Sequence, residues 1–260
     1  MRGRMVIGRA TYAALAAAAS LAAAPLCALA TTIVTSPFRG VTHYERTEPA
    51  GAVVPRLVVM HILEIDLTDP GVSFVLTPSN GAAPGEVNAQ RTRDFVTQHN
   101  AQIGINGDFY SSAGTGPNGE VYRELSHISV AAGQQVSPWS GSGSTREAGI
   151  NLSSAKVPTL VRPANFSTAN YLTNPVLTPY NLIGGNERMI ANGTVVATDN
   201  TIHPRTCIGY TGNKLYLFTV DGRQTGYSEG MTLVEIIPVP PDEPLYSKGD
   251  TAKCRYRLDL

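Results

Sequence analysis

The sequence predicts a single α+β domain in which twisted sheets, mixed or antiparallel, pack against a few helices. Three observations lead to this prediction. Short runs of apolar and β-branched residues recur along the chain, turn signals separate them, and such runs outnumber the segments that could form helices. Strands that dominate in this way, with helices at few places, favour an α+β domain. A chain of this length is also long enough to bury one sizeable core.

The first 30 residues have the pattern of a signal peptide. Arg2, Arg4 and Arg9 form a basic start, an Ala/Leu-rich run follows over residues 10–24, and Ala28–Ala30 fits a small-x-small cleavage site. The apolar run is shorter than the roughly 20 residues that span a bilayer. We therefore expect a secreted, periplasmic or extracellular protein without a stable membrane span, and favour this over a retained anchor.

Charge and cysteine content narrow the function classes. Cleavage after Ala30 removes three of the 20 basic residues and none of the 20 acidic ones, so 230 residues with a net charge of −3 remain. No basic cluster is present, which argues against nucleic acid as a partner. Cys207 and Cys254 could be oxidised in an exported protein, but two cysteines are not a disulfide framework, and their pairing stays open.

The first part of the chain predicts a lead-in segment, two strands and a helix. Residues 31–52 mix proline, glycine, threonine and charges, and we interpret them as the lead-in. Residues 57–67 and 72–78 are apolar and β-branched and are separated by the turn signal at 69–71, so each is predicted to be a strand. Residues 87–99 contain no helix breaker, and a surface helix is expected there.

The second part predicts short strands, loops and two hairpins. Gly/Ser/Pro-rich loops are expected at 111–120 and 137–145, and a long loop at 163–182. Asn192–Gly193 and Gly212–Asn213 supply the turns of the hairpins, the first being the strongest type of hairpin signal. Strands or hairpins are predicted at 101–105, 125–132, 149–152, 158–161, 188–197 and 206–220.

Two predicted strands end in similar polar groups. The strand 101–105 runs into Asn106 and Asp108, and the strand ending at Val220 runs into Asp221, Gly222 and Arg223. A buried strand fixes the position of the residue that follows it, and glycine lets a ligand approach the backbone. Asn-Gly and Asp-Gly are also common turn dipeptides, so each motif alone is more often a turn than a site.

The hairpin 206–220 should bring a third polar segment to this place. Its first strand starts near Arg205, and in an antiparallel pair the start of one strand lies beside the end of the next. Arg205 should therefore lie near Asp221 and Arg223, either as a surface ion-pair network or as a clamp for phosphate oxygens. His61 and His127 lie within apolar runs and are expected to be packed core residues. The sequence contains no zinc, nucleotide or Ser-His-Asp signature, predicts no metal ligand, and leaves the cofactor unknown.

The order of four motifs is similar to that of a known family. These are NGDFY at 106–110, Gly184–Gly185, HPRTCIG at 203–209, and VDGRQTGYSEGMTLVE at 220–235. Together they resemble the phosphodiester glycosidase domain family, which includes N-acetylglucosamine-1-phosphodiester α-N-acetylglucosaminidase. The resemblance covers residues 53–236.

The resemblance implies an enzyme that hydrolyses a sugar-1-phosphodiester of envelope glycan or exopolysaccharide and leaves a phosphomonoester. Asp221 would be the carboxylate facing the anomeric carbon, Asp108 a second carboxylate, and Asn106 a hydrogen-bonding partner of the substrate. Cations would hold the phosphate. The residues expected to bind substrate or shape the pocket are Arg205, Arg223, Gly222, Ser228, His203 and Thr206.

The C-terminal part of the sequence contains conflicting signals. Thr232–Glu235 is a capping-box pattern that predicts a helix burying Leu233 and Ile236. Four prolines between 238 and 244 follow, and each disfavours a helix interior by about 3 kcal/mol. Residues 237–260 are therefore an atypical tail, which we interpret as frameshifted or truncated; a genuine divergent C-terminus is the alternative. An inactive family member, or a non-catalytic protein that binds carbohydrate or phosphate, is the alternative function.

Overall fold

The computed structural model describes residues 29–51, 54–139, 147–162, 178–191, 194–236 and 256–258. This part of the chain is built mostly from strands, and every strand pair is antiparallel. In chain order the elements are β1 (Thr31–Phe38), β2 (Val41–Glu48), β3 (Val58–Asp66), β4 (Val87–Asn88), α1 (Thr92–Gln98), β5 (Tyr110–Thr115), β6 (Val121–Leu125), β7 (Ser129–Ala131), β8 (Gln134–Ser137), β9 (Ala148–Leu152), β10 (Pro158–Val161), β11 (Asn181–Gly185), β12 (Ile190–Ala191), β13 (Thr194–Val195), β14 (Arg205–Thr211), β15 (Lys214–Val220), α2 (Leu233–Ile236) and β16 (Tyr256–Leu258).

The largest sheet has six strands in the order β1-β2-β3-β15-β14-β16. Its centre is the pair β3 and β15, in which Met60 lies opposite Val220 and Asp66 opposite Lys214. The β14–β15 hairpin turns at Gly212–Asn213, and Gly212 has φ +51°, a left-handed conformation that glycine adopts without steric cost. The prediction of this hairpin is confirmed.

A five-stranded sheet in the order β10-β9-β11-β7-β8 supplies the second layer. Its strand β9 is buried along its whole length, because Ile150 and Leu152 pack with Ile65 and Leu215 of the six-stranded sheet in one apolar cluster. Side chains that interdigitate between two sheets form the core of a sandwich. A three-stranded sheet, β4-β6-β5, and the pair β12–β13 complete the described sheets.

The prediction of an α+β domain with packed helices is wrong, because the described chain is mostly β. The helix expected over 87–99 is confined to Thr92–Gln98 and buries none of its residues, so it contributes nothing to the core. The second helix has only four residues. The apolar area is buried between strands, and neither described helix is long and apolar enough to cross a membrane.

Several local predictions have definite outcomes. Residues 31–48 of the lead-in segment form β1 and β2 of the largest sheet, while no strand forms at 72–78 or 101–105. The pair β12–β13 fits the hairpin predicted at 188–197, although its turn residues Asn192–Gly193 lie outside the described residues. Most of the long loop predicted at 163–182 also lies outside them, as do residues 1–28.

The capping box is confirmed at atomic level. The backbone N–H of Thr232 donates to Glu235 Oε2 over 2.8 Å, and the N–H of Glu235 donates to Thr232 Oγ1 over 3.1 Å. Leu233 and Ile236 are buried in the cluster that lies behind β3 and β15, as the sequence predicts. Arg56, itself buried, pairs with Glu235 and fixes this turn to the residues that precede β3.

Candidate functional site

Asp221 stands at the first position after β15, where the strand leaves the sheet. Its backbone N–H donates to Val59 O over 3.0 Å, so the main chain is still held by β3 at this point. Its carboxylate accepts a hydrogen bond from Tyr227 Oη over 3.1 Å, and about one third of the side chain is exposed (35%). This hydrogen bond is the main reason why the pKa of Tyr227 is raised, with burial and the charges of Asp221 and Glu45 adding to it. Asp221 is thus an accessible carboxylate with a fixed backbone.

A tight turn after Asp221 places the neighbouring side chains. Ser228 N and Tyr227 N both donate to Gln224 O, and Arg223 takes the left-handed conformation with φ +60°. A non-glycine residue in this region carries strain of about 1 to 3 kcal/mol, and such residues cluster at functional sites. The turn therefore orients Tyr227 towards Asp221 and leaves Arg223 exposed.

Ser228 fixes this turn to the neighbouring strand β3. Its side chain is fully buried; Oγ donates to Asp221 O over 2.6 Å and accepts from Val59 N over 2.9 Å. Sequence analysis predicted that Ser228 shapes the pocket and donates hydrogen bonds. In the structure, its hydroxyl bridges Asp221 to β3.

Replacement of Ser228 by alanine is expected to lower the free energy of unfolding by about 1 to 3 kcal/mol. The reason is that the Val59 N–H and the Asp221 carbonyl lose a buried partner. Urea unfolding followed by circular dichroism measures the change, and Ser111→Ala, at an exposed position of β5, is the matched control. A loss no larger than that of the control would contradict this role.

Gly222 is required by the close approach of another segment. A Cβ atom there would lie 2.5 Å from Pro204 N and 2.8 Å from Pro204 Cα, and these are backbone positions that cannot rotate away. The absence of a side chain lets the segment before β14 lie directly against the end of β15. His203 is brought close in this way, and its Nδ1 lies 3.2 Å from Arg223 Nη2. His203 and Arg223 therefore form one edge of the site.

Arg205 has a different environment from Arg223. It is 4% exposed; Nε donates to Met231 O over 2.9 Å, and Nη2 contacts Thr201 O and pairs with Asp199 Oδ2 over 3.0 Å. These contacts join the start of β14 to the segment around Met231. No described hydrogen bond or ion pair joins the guanidinium of Arg205 to Asp221 or Arg223. The role of Arg205 as a phosphate ligand stays a prediction.

The ion pair of Arg205 makes stability depend on pH. Burial alone would raise the pKa of Asp199, but hydrogen bonds from the hydroxyl and N–H of Thr201, together with the charge of Arg205, lower this pKa to about 2. A lowered pKa stabilises the fold above the unfolded-state value of 3.8, and this contribution is lost as the pH falls through about 2.

We therefore expect the difference in unfolding free energy between wild type and Asp199→Asn to be constant above pH 4. It should shrink between pH 4 and pH 2. Because the Asp199 side chain is 31% exposed, solvent screening reduces the pH-dependent part to about 1 kcal/mol. Denaturant unfolding at several pH values measures this difference, and a gap that is independent of pH would contradict the assignment.

Thr206 and Asn106 contact each other on one face of the six-stranded sheet. A cavity beside Asp221 lies on this same face. Thr206 Oγ1 donates to Asn106 Oδ1 over 3.0 Å, with Thr206 buried and Asn106 exposed. The cavity, of about 190 Å³, is lined by residues 104–105 together with His43, His61, Leu63, Leu217 and Thr219. His61 Nε2 lies 3.9 Å from Asp221 Oδ2, so the cavity opens next to the carboxylate.

Asp108 belongs to a separate buried pair. Its side chain is 5% exposed, and its two oxygens accept from the His127 ring, the His127 N–H and the Phe109 N–H. His127 is buried, as the sequence predicts for a packed residue. No described contact joins Asp108 to Asp221, and its role as second carboxylate stays a prediction.

A sequence model of the phosphodiester glycosidase family matches residues 99–239, which include Asn106, Asp221 and the turn after it. The match covers more than half of the chain. This chain belongs to the phosphodiester glycosidase family. No curated protein matches the sequence.

The chain resembles two solved structures. The crystal structure of a hypothetical protein from Synechocystis has a TM-score of 0.51 at 12% identity, with 88% of this chain and 58% of that chain covered. A protein from Burkholderia pseudomallei K96243 has a TM-score of 0.42 at 11% identity, with 81% and 69% covered. The chain therefore spans less than two thirds of the Synechocystis protein.

Sequence reasoning missed two histidines of the candidate site. His61, expected to be a packed core residue, has a side chain that is 33% exposed and lines the cavity. His43 lies in the segment interpreted as a lead-in, yet its Nε2 is 3.1 Å from His61 Nδ1. The alternation of β3 could have placed His61 on one face, but only the register between β2 and β3 brings His43 to it. Among the described residues, no cluster of histidine, cysteine and carboxylate side chains could hold a metal ion.

Proposed function

We propose that this protein is an exported phosphodiester glycosidase that cleaves a sugar from a sugar-1-phosphodiester and leaves a phosphomonoester. Membership of the family supports the reaction class, and the signal-like residues 1–30 support export. The observation that carries the proposal is the position of Asp221, an accessible carboxylate beside the cavity and two residues before Arg223, which contacts His203. This arrangement offers one group to an anomeric carbon and cationic or hydrogen-bonding groups to a phosphate.

The charge and solvent exposure of Asp221, Arg223 and His203 suggest their roles. Asp221 stabilises the positive charge that develops at the anomeric carbon, either as a counter-ion or as a nucleophile. Arg223 and His203 bind the phosphate oxygens, because a guanidinium donates hydrogen bonds to phosphate in a fixed geometry. A phosphomonoester is a good leaving group, so little help from a general acid is needed.

The remaining predicted residues support these groups. Asn106 is exposed, and because its Oδ1 accepts from Thr206, its amide nitrogen is left to donate to a sugar hydroxyl. Thr206 fixes Asn106, Ser228 fixes the main chain of Asp221, and Gly222 allows the close contact with Pro204. We assign Arg205 to the same supporting group, since its Nε and Nη2 contact the protein itself.

The decisive experiment combines turnover with the position of bond cleavage. The purified protein is incubated with an α-N-acetylglucosaminyl phosphodiester, and with phosphodiesters of other sugars, in ¹⁸O-labelled water. A glycosidase places the label on the sugar, whereas a phosphodiesterase places it on the phosphate. Binding without turnover on all substrates would instead favour a non-catalytic carbohydrate- or phosphate-binding protein, and label in the phosphate would contradict the proposal.

A further inference from the structure

Four strands place polar side chains in one row beside Asp221. Thr206 of β14 lies opposite Thr219 of β15, Thr219 lies opposite His61 of β3, and His61 lies opposite Glu45 of β2. Directly opposed residues of antiparallel strands share one face of the sheet. His43 lies two residues before Glu45 and is therefore on this face as well. The row thus carries two histidines and a carboxylate to the edge of the cavity.

The two histidines are joined by a hydrogen bond and by ring contact. His43 Nε2 is 3.1 Å from His61 Nδ1, and the ring centroids are 5.3 Å apart with planes at 16°. A hydrogen bond between two ring nitrogens needs one donor and one acceptor. The pair therefore shares a single proton at this bond, and a proton taken up by one ring can leave from the other.

His61 Nε2, the ring nitrogen that does not contact His43, faces the proposed reaction centre. His61 Nε2 lies 3.9 Å from Asp221 Oδ2, which is too far for a direct hydrogen bond, and both side chains are about one third exposed. A water molecule at the edge of the cavity can reach both groups. Among the described residues, the titratable groups next to His61 are His43 and Glu45 on β2 and Asp221 after β15, and Tyr227 in turn contacts Asp221.

We propose, on the basis of the function above, that His61 is the general base of the hydrolysis and that His43 is its proton relay. The water oxygen forms a bond to the anomeric carbon, and either the bond to the phosphate oxygen or the bond to Asp221 breaks with its electron pair. The proton of the water moves to His61 Nε2. His61 passes its Nδ1 proton to His43 Nε2, so the positive charge ends on His43 near Glu45.

Activity measurements test the base directly. We expect His61→Ala to lower kcat about 10²-fold at neutral pH. Added imidazole should restore part of the rate in His61→Ala but not in His43→Gln, because only the former leaves space for a base at the cavity. His99→Gln, at the end of α1 and outside the site, is the control and should keep its wild-type rate. A wild type that turns over, together with His61→Ala that keeps more than a third of its kcat, would overturn the inference.

A second measurement does not depend on turnover. ¹⁵N NMR of the histidine rings at pH 8 should show one fixed tautomer each for His43 and His61, and the tautomer of His61 should change in His43→Gln but not in His99→Gln. Freely exchanging tautomers in the wild type would overturn the relay. If the wild type hydrolyses none of the phosphodiesters, the proposed function fails. The NMR result then decides whether the pair shares a proton.

Discussion

Asp221→Asn is expected to lower kcat on a sugar-1-phosphodiester about 10³-fold while leaving KM within a factor of about three. Asparagine has nearly the same shape and can still accept the hydrogen bond from Tyr227, but it carries no charge. A charge that acts on the developing positive centre contributes more in the transition state than in the bound substrate. Its loss therefore appears in kcat and kcat/KM and not in KM.

The matched control for this experiment is Asp94→Asn. Asp94 is an exposed carboxylate of α1, its contact with Arg93 is a surface ion pair, and the same chemical change there should leave kcat unchanged. Thermal unfolding of both variants verifies that each is folded. If Asp221→Asn retains kcat within tenfold of the wild type, the carboxylate is not the group that acts on the anomeric carbon.

The two arginines are expected to respond in opposite ways to the same substitution. Arg205→Gln should lower the free energy of unfolding by about 3 kcal/mol, because Asp199 loses its charged partner and the carbonyls of Met231 and Thr201 lose a charged donor. Arg223→Gln, at an exposed position, should change stability by less than about 0.5 kcal/mol. It should instead lower kcat/KM about 10²-fold, because a charged hydrogen bond to the phosphate is lost.

Thermal unfolding and steady-state kinetics on the same two preparations separate these effects. A loss of about 3 kcal/mol lowers the Tm of a domain of this size by roughly 6 to 12 °C. An Arg205→Gln protein with wild-type Tm and reduced kcat/KM would contradict the structural role of Arg205. That outcome would favour the sequence-based expectation that both arginines bind the phosphate.

The features that the sequence predicted correctly depend on neighbouring residues. The turn at Gly212–Asn213 and the capping box of Thr232 and Glu235 are set by residues within a few positions of each other, so their patterns are visible in the sequence. The hairpin then predicts that the segment around Arg205 lies beside Asp221, and β14 and β15 do pair with Arg205 opposite Val220.

The features that escaped prediction depend on contacts between distant segments. His43 meets His61 through the register of two strands, and Ser228 is buried because the turn after β15 lies on Val59. Arg205 is buried by Met231, 26 residues further along the chain, which no local pattern indicates. The helix predicted at 87–99 is shorter than expected for a related reason: such a segment forms a long helix only if it has a surface on which to bury an apolar face, and α1 buries none.

The hydrogen bonds between the turn after β15 and the residues before and within β3 have a consequence for the free energy of substrate binding. Val59 O accepts from Asp221 N, Leu57 O accepts from Glu229 N, and Arg56 Nε donates to Gly230 O, so the turn is attached at three successive points. A segment fixed in this way has already lost its conformational freedom before any substrate arrives. Association then requires no ordering of this turn, which removes one entropic cost of binding. Discrimination between substrates consequently depends on the side chains that this fixed turn presents and not on a closure of the turn.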